Sequence, residues 1–281
     1  KALILSAREK IEKEPSYSYA AARLLLNCVY KEVFKEGVDS DVFDLQYRKS
    51  FVQNIKKLVK LNRLDSRLLD FDLKKLSESL DINRDLKFKY LGIQILADRY
   101  FLREDQKIME APQSFWMRVC MGLAINEDKP TERAIEFYNL LSNFLYTPST
   151  PTMFNSGTVH SQLSSCYLNT FDDSIDGIFD GAWQEARKSK YAGGLGLDVT
   201  PFRSTGSHIV GTNGTSSGLV PWLKIFNDLL IAVNQGGKRP GAGCAYLEPW
   251  HLDFEDFLNL RRNTGDDRLR CHDMNTASWI P

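Results

Sequence analysis

Several features that commonly announce a function are missing from this sequence. Net charge is one: 36 Lys and Arg balance 36 Asp and Glu over 281 residues. Nothing electrostatic therefore argues for a nucleic-acid or membrane partner. No apolar run approaches the roughly 20 residues that span a bilayer, and no signal peptide is legible at the start. Cysteines number five: Cys28, Cys120, Cys166, Cys244 and Cys271. They are odd in number, widely spaced and without a CxxC, which argues against a secreted disulfide framework and a local zinc site. A reducing cytoplasm suits them, most being expected as small core residues. A GxSxG elbow is lacking, so acyl transfer has no support. His251 and Glu248 in "LEPWHLDFED" have no second histidine at a ligand spacing, so His251 reads as a hydrogen-bonded structural residue. The chain starts at Lys1 without Met and stops after the strand-like "NTASWIP", and it reads as a fragment of a longer protein.

Two textures are present. Residues 1–146 read as an all-α domain. In "FVQNIKKLVKL", Phe51, Val52, Ile55, Leu58 and Val59 share one face and the lysines mostly the other. "APQSFWMRVCMGLAI" is expected to turn Phe115, Trp116, Val119 and Leu123 inward, and "PTERAIEFYNLLSNFL" opens on Pro130 as a helix entry. From "TPSTPTMFNSGT" onward glycines become frequent. The β-type segments "GGLGLDV", "GCAYLEPW" and "MNTASWI" alternate with helices at 174–190 and 218–234. That alternation predicts an α/β unit with largely parallel strands over 147–281.

Chemistry-bearing residues concentrate in the second part. "AGGLGLDV" lacks the third glycine of a dinucleotide fingerprint. It reads either as a close backbone approach at a strand start or as room for a ligand at Gly193 and Gly194. "NQGGKRPGAG" is not a Walker loop, yet two adjacent cations in a Gly-rich loop suit an anion or a base as well as they suit a surface loop. The helix after Asp173 is capped by Asp173 or Ser174 and ends at Lys190, where a cation suits the dipole. Ile175, Ile178, Phe179, Ala182, Trp183 and Ala186 give it a broad apolar face. Gly177 and Gly181 would let another helix approach closely, which costs helix propensity and wants a reason. Cys166, in "QLSSCYLN", has hydroxyl neighbours that a buried thiol does not need, and no local partner for a disulfide.

Seven stretches in order, "PSTPTMFNSGT", "QLSSCYLN", "DDSIDGI", "KYAGGLGLDV", "RSTGSHIVGTNG", "NQGGKRPGA" and "YLEPWHLDFEDFL", together resemble the large subunit of ribonucleotide reductase, class I eukaryotic-like type, in its N-terminal part. The resemblance implies an α/β fold with an all-α N-terminal domain, the remainder being the first part of a ten-stranded α/β barrel. It implies reduction of ribonucleoside diphosphates by thiyl-radical chemistry, with Cys166 similar to the first of a reducing cysteine pair. Thr150, Ser165 and Gly194 would contact the substrate, through hydroxyls and free backbone N–H groups. Asp173, Ser174, Ile175, Lys190, Arg203, Val210 and Gly211 match an allosteric site for deoxynucleoside triphosphates or ATP across a dimer interface. Gln235 and Arg239 match the loop that carries effector identity to the substrate base, a short element biased from two sites.

By the same resemblance the partners would be a second copy, a small radical-generating subunit, and a thioredoxin- or glutaredoxin-type reductant. This chain would bind no cofactor or metal of its own. The thiyl cysteine and the second reducing cysteine belong to segments beyond Pro281, so the chain alone is expected to be inactive. An adenosylcobalamin-dependent reductase and a non-catalytic nucleotide-binding module are the alternatives. A cobalamin requirement would mark the first, and the absence of a downstream cysteine with a nearby glutamate the second.

Overall fold

A computed structural model describes residues 2–34, 42–191, 193–233 and 241–280. The chain divides into two compact units, Lys1–Leu163 and Ser164–Pro281. No helix among the described residues is long and apolar enough to cross a membrane.

The first unit is helical: α1 (Ala2–Arg8), α2 (Tyr17–Phe34), α3 (Phe43–Lys60), α4 (Leu73–Glu78), α5 (Tyr90–Ile95), α6 (Pro112–Ala124), α7 (Pro130–Ser142) and α8 (Thr150–Asn155). A hairpin of β1 (Arg103–Glu104) and β2 (Lys107–Ile108) turns through Asp105 and Gln106, both at positive φ, as a two-residue hairpin requires. Helix α3 buries Phe51, Ile55 and Leu58 as its periodicity predicts. Helix α6 is the hub, buried at every position except Leu123. On a helix so enclosed, a charged side chain has to find its hydrogen bonds internally. Arg118 does so: Nε and Nη2 donate to Glu110 at 2.8 and 3.0 Å, and Nη1 to the carbonyls of Ser156 (2.8 Å) and Met153 (3.2 Å). Gly122 lets the chain at Ser156 and Gly157 lie directly on α6, since a Cβ there would sit 2.0 Å from the Gly157 nitrogen. These contacts, with the bridge between Leu64 and Thr158, gather residues 147–163 into the helical unit.

The second unit is built on a four-stranded parallel sheet in the order β3 (Cys166–Thr170), β4 (Gly194–Asp198), β7 (Ala242–Leu247), β8 (Asn275–Ser278). Between β4 and β7 a small antiparallel hairpin, β5 (His208–Ile209) and β6 (Gly214–Thr215), precedes helix α10 (Val220–Ala232). Helix α9 (Ile175–Lys190) connects β3 to β4, and α11 (Phe254–Leu258) follows β7. Side chains alternate across a strand. Leu195, Leu197, Ala245 and Leu247 face a core shared with Ile178, Ala182, Leu223, Phe226 and Leu230 of α9 and α10. Helices α9 and α10 therefore cover one face, and among the described residues of this unit no helix covers the other.

Candidate functional site

The parallel register decides what the open face carries. Cys166 pairs with Gly194, Leu168 with Gly196 and Thr170 with Asp198; Gly196 pairs in turn with Cys244, and Asp198 with Tyr246. All of these share one face. Cys166 is exposed, and Leu168 is 80 % exposed despite standing in a regular strand. The Ser165 hydroxyl lies 3.7 Å from the Cys166 sulfur. The Gly194 N–H donates to the Ser165 carbonyl at 2.6 Å. This overturns the expectation of a free N–H at Gly194: the strand pairing consumes it, and Gly194 offers a ligand only the lack of a side chain.

Sequence reading missed the rest of this face. Tyr246 lies against Trp279, ring centroids 6.3 Å apart, and its Cε2 would be 3.4 Å from a Cβ on Gly196. Its phenol pKa is raised, chiefly by negative charge on Cys244, to which the hydroxyl hydrogen-bonds, and in smaller part by Cys166. The two thiols and the phenol thus share one electrostatic neighbourhood. Burial in turn raises the Cys244 thiol, against the Tyr246 hydrogen bond that lowers it. Toward the strands' C-terminal ends a concavity of about 350 Å³ is lined by Leu168, Thr170, Asp198, Tyr246, Glu248 and Trp279. Its lining begins at Leu168, so Cys166 lies at the other end of the face. The missed signal was the two-residue period itself: counted from Cys166 and carried across the sheet, it reaches Cys244 and Tyr246. Fewer thiols are core residues than expected: Cys120 and Cys271 are buried, whereas Cys28 and Cys166 are exposed and Cys244 is half-buried.

Helix α9 positions the second group. Ser174, in extended backbone, is the cap: its hydroxyl accepts from the Gly177 N–H at 3.0 Å. Asp173 is instead bound to Arg203, whose Nε donates to Oδ2 at 2.6 Å and whose Nη2 donates to the Asp173 carbonyl at 3.0 Å. Asp173, Ser174 and Arg203 therefore form one cluster, with Ile175 beside it and 67 % exposed. Val210 and Gly211 lie in the turn of the β5–β6 hairpin. Val210 is exposed, and open space surrounds Gly211. Lys190 is not part of the cluster. It ends the helix that Ile175 begins, about 22 Å away by the helical rise.

The two glycines of α9 do a different job from the one expected of them. A Cβ on Gly181 would fall 2.3 Å from the Phe171 ring, and one on Gly177 would fall 2.9 Å from the Asp172 Cβ. They admit the chain that leads from β3 into the helix, not a second helix. The broad apolar face divides as well. Ile178 and Ala182 are buried, while Ile175, Phe179 and Trp183, four residues apart, remain exposed as an outward stripe. Glu185, on the buried side, accepts from Asn169 of β3 and from Lys188 at 2.8 Å, and burial raises its pKa. His251 is structural: Nδ1 accepts from the Asp253 N–H at 3.1 Å, which leaves Nε2 to donate to the Phe202 carbonyl at 2.7 Å. Asp253 accepts from the N–H groups of Thr205 and Leu219, both at 2.9 Å at closest, clamping the loop before α10.

Thr150 lies in the helical unit as the first residue of α8, half-buried, its Oγ1 3.2 Å from the Tyr100 hydroxyl. Gln235 and Arg239 fall outside the described residues.

Comparison with known proteins places this geometry. Residues 86–161 match the family model for the ribonucleotide reductase all-alpha domain, and residues 164–281 match that for the ribonucleotide reductase barrel domain. Along its whole length the chain is 54 % identical to the ribonucleoside-diphosphate reductase subunit alpha of Chlamydia muridarum, of which it covers 27 %. It is 41 % identical over 99 % of its length to the corresponding subunit of Helicobacter pylori, covering 34 % of that protein. Over 96 % of its length it is 42 % identical to the ribonucleoside-diphosphate reductase large chain of Schizosaccharomyces pombe, covering 33 %. The chain spans between a quarter and about a third of these relatives.

Proposed function

Because the chain belongs to the ribonucleotide reductase family, with part of its all-α domain and the start of its barrel domain, we propose that it comes from the catalytic subunit of a ribonucleoside-diphosphate reductase. The reaction replaces the ribose 2′-hydroxyl by hydrogen. Two cysteine thiols become one disulfide, and the hydroxyl leaves as water. A thiyl radical on a third cysteine starts the reaction by taking the 3′-hydrogen, and a small partner subunit supplies that radical. Cys166 is one of the reducing pair. A dithiol protein of the thioredoxin or glutaredoxin type re-reduces it in the cytoplasm.

One observation carries this reading. The register of β3 on β4 sets an exposed thiol level with a glycine on an open sheet face, with the Ser165 hydroxyl beside it. A reducing thiol needs such access, and most structural thiols do not have it. Cys244 does not serve as its partner. It stands two strands away, at about 4.8 Å per strand, beyond the roughly 7 Å between Cα atoms that a disulfide tolerates. The second reducing cysteine then comes from another part of the longer protein. Ser165 and Thr150 contribute hydroxyl donors to the substrate, and Gly194 contributes clearance.

The specificity site for triphosphate effectors takes in Asp173, Ser174, Ile175, Arg203, Val210 and Gly211 of one copy. Lys190 sits a whole helix away from that cluster, so the two cations do not meet on one phosphate chain within a single copy. In a two-fold dimer each contact is made twice, once in each direction. Antiparallel packing of two α9 helices along Ile175, Phe179 and Trp183 brings Lys190 of one copy to the Arg203 end of the other, which supports an effector site shared between copies. Gln235 and Arg239 link that site to the substrate base.

The experiment is Cys166→Ser in the full-length subunit, assayed with its small subunit and a dithiol reductant. We expect loss of multiple-turnover reduction with unchanged effector affinity. Unimpaired turnover would remove Cys166 from the reducing pair.

A further inference from the structure

We propose that Tyr100 is a positioning residue for Thr150, setting the direction in which the threonine hydroxyl offers its proton to the substrate; this rests on the reading of Thr150 as a substrate contact. Helix α5 does not end regularly. It passes into one π-helical turn, Leu96–Tyr100. Such turns are uncommon and often stand at functional sites, because the extra residue re-aims the side chains that follow. Here Tyr100 is brought against α8 at two points. Its ring stacks on Phe154, centroids 4.5 Å apart and planes 27° from parallel, and its hydroxyl reaches Thr150 Oγ1 at 3.2 Å. Tyr100 is 8 % exposed, whereas Thr150, at the first helical position, is half-buried.

The polarity of this pair follows from the ligand. Either hydroxyl can donate to the other in the free protein. A diphosphate oxygen only accepts, so a Thr150 hydroxyl that serves the substrate must give its single proton to that oxygen. Its own oxygen is then left to accept from the one proton of Tyr100. The chain of donors runs from Tyr100 to Thr150 to the phosphate, and each bond polarises the next. Threonine in a helix divides between two side-chain rotamers. The phenol, fixed by its ring stack, selects the one in which Oγ1 faces it. Ser149, at the cap position of α8, makes no side-chain cap bond and does not compete for this role.

The test uses the full-length subunit with its small subunit and reductant, comparing Tyr100→Phe, Thr150→Val and the double variant. Tyr100→Phe keeps the ring stack and removes only the hydroxyl. It should raise KM for the ribonucleoside diphosphate about fivefold, the size of one neutral hydrogen bond. Its kcat should stay within about twofold, because a contact equally strong in ground and transition states moves KM alone. The thermal midpoint should not move. The double variant should be no worse than Thr150→Val, since Tyr100 acts only through Thr150. Additive effects overturn the proposal, as does a Tyr100→Phe enzyme with normal KM while Thr150→Val is impaired. A fall in kcat and thermal midpoint together, with KM unchanged, would make Tyr100 merely structural. If Thr150→Val itself leaves KM unchanged, the reading of Thr150 as a substrate contact fails, and the role of Tyr100 fails with it.

Discussion

Replacing Asp85 by Asn isolates a single buried charge in the helical unit. Asp85 is 1 % exposed. Its Oδ2 accepts from the hydroxyls of Tyr30 (2.6 Å) and Tyr47 (2.9 Å), and its Oδ1 from Gln113 Nε2 (2.7 Å). Burial outweighs those bonds and pushes the carboxyl from 3.8 up to about 6. The folded state therefore holds this proton more tightly than the unfolded chain does. The resulting stabilisation is fully present below pH 3.8 and is lost as pH rises through about 6. Its full size is about 3 kcal/mol at about 1.4 kcal/mol per pH unit, most of which, about 2 kcal/mol, falls between pH 4 and pH 7. Other carboxylates contribute the opposite slope; Asp65, for example, is held low by its Arg67 hydrogen bond. The quantity to measure is accordingly the difference between wild type and Asp85→Asn, by urea unfolding at several pH values. Asn keeps the volume, and the tyrosine hydroxyls can rotate to accept from its amide. Wild type should lose about 2 kcal/mol relative to the variant from pH 4 to pH 7. Parallel stability curves would refute the argument, because the carboxyl would then titrate alike in both states.

Arg203→Ala should weaken triphosphate binding to the full-length subunit by about 1.5–3 kcal/mol, the range for a charge-assisted hydrogen bond, read by equilibrium binding of a labelled effector. Mixing the Arg203→Ala and Lys190→Ala subunits should restore one tight site per mixed dimer, whereas no recovery would place both cations in one copy. Gly181→Ala adds a Cβ 2.3 Å from the Phe171 ring. Overpacking of about 1–3 kcal/mol should outweigh the gain of about 1 kcal/mol in helix propensity, so the thermal midpoint should fall; a rise would show that Phe171 moves aside freely.

Much of the molecule was legible in short-range pattern. The face of α3 at Phe51, Ile55 and Leu58, the proline entries of α6 and α7, and the strands at 194–198 and 242–247 follow from period and punctuation. Position 194 was legible as a glycine but not as a spent N–H, because its donor is consumed by Ser165, a residue far off in sequence. Gly177 and Gly181 had the spacing of a helix-packing motif. Their actual neighbours, Asp172 and Phe171, depend on how the chain enters α9. Residues 147–163 change composition with the second unit yet pack with the first, since Arg118 and Gly122 take hold of them.

By itself, then, the sequence determined the longer helices, three of the four strands of the parallel sheet, and which residue types stand together in Cys166, Ser165 and Asp173, since these follow from neighbours a few residues away. Tertiary structure alone decided which face of the sheet stays open, that Cys244 and Tyr246 share it with Cys166, and that Arg203 closes on Asp173. Register and crossover geometry join residues up to about eighty positions apart, and no local pattern encodes a pairing whose partner lies on another strand.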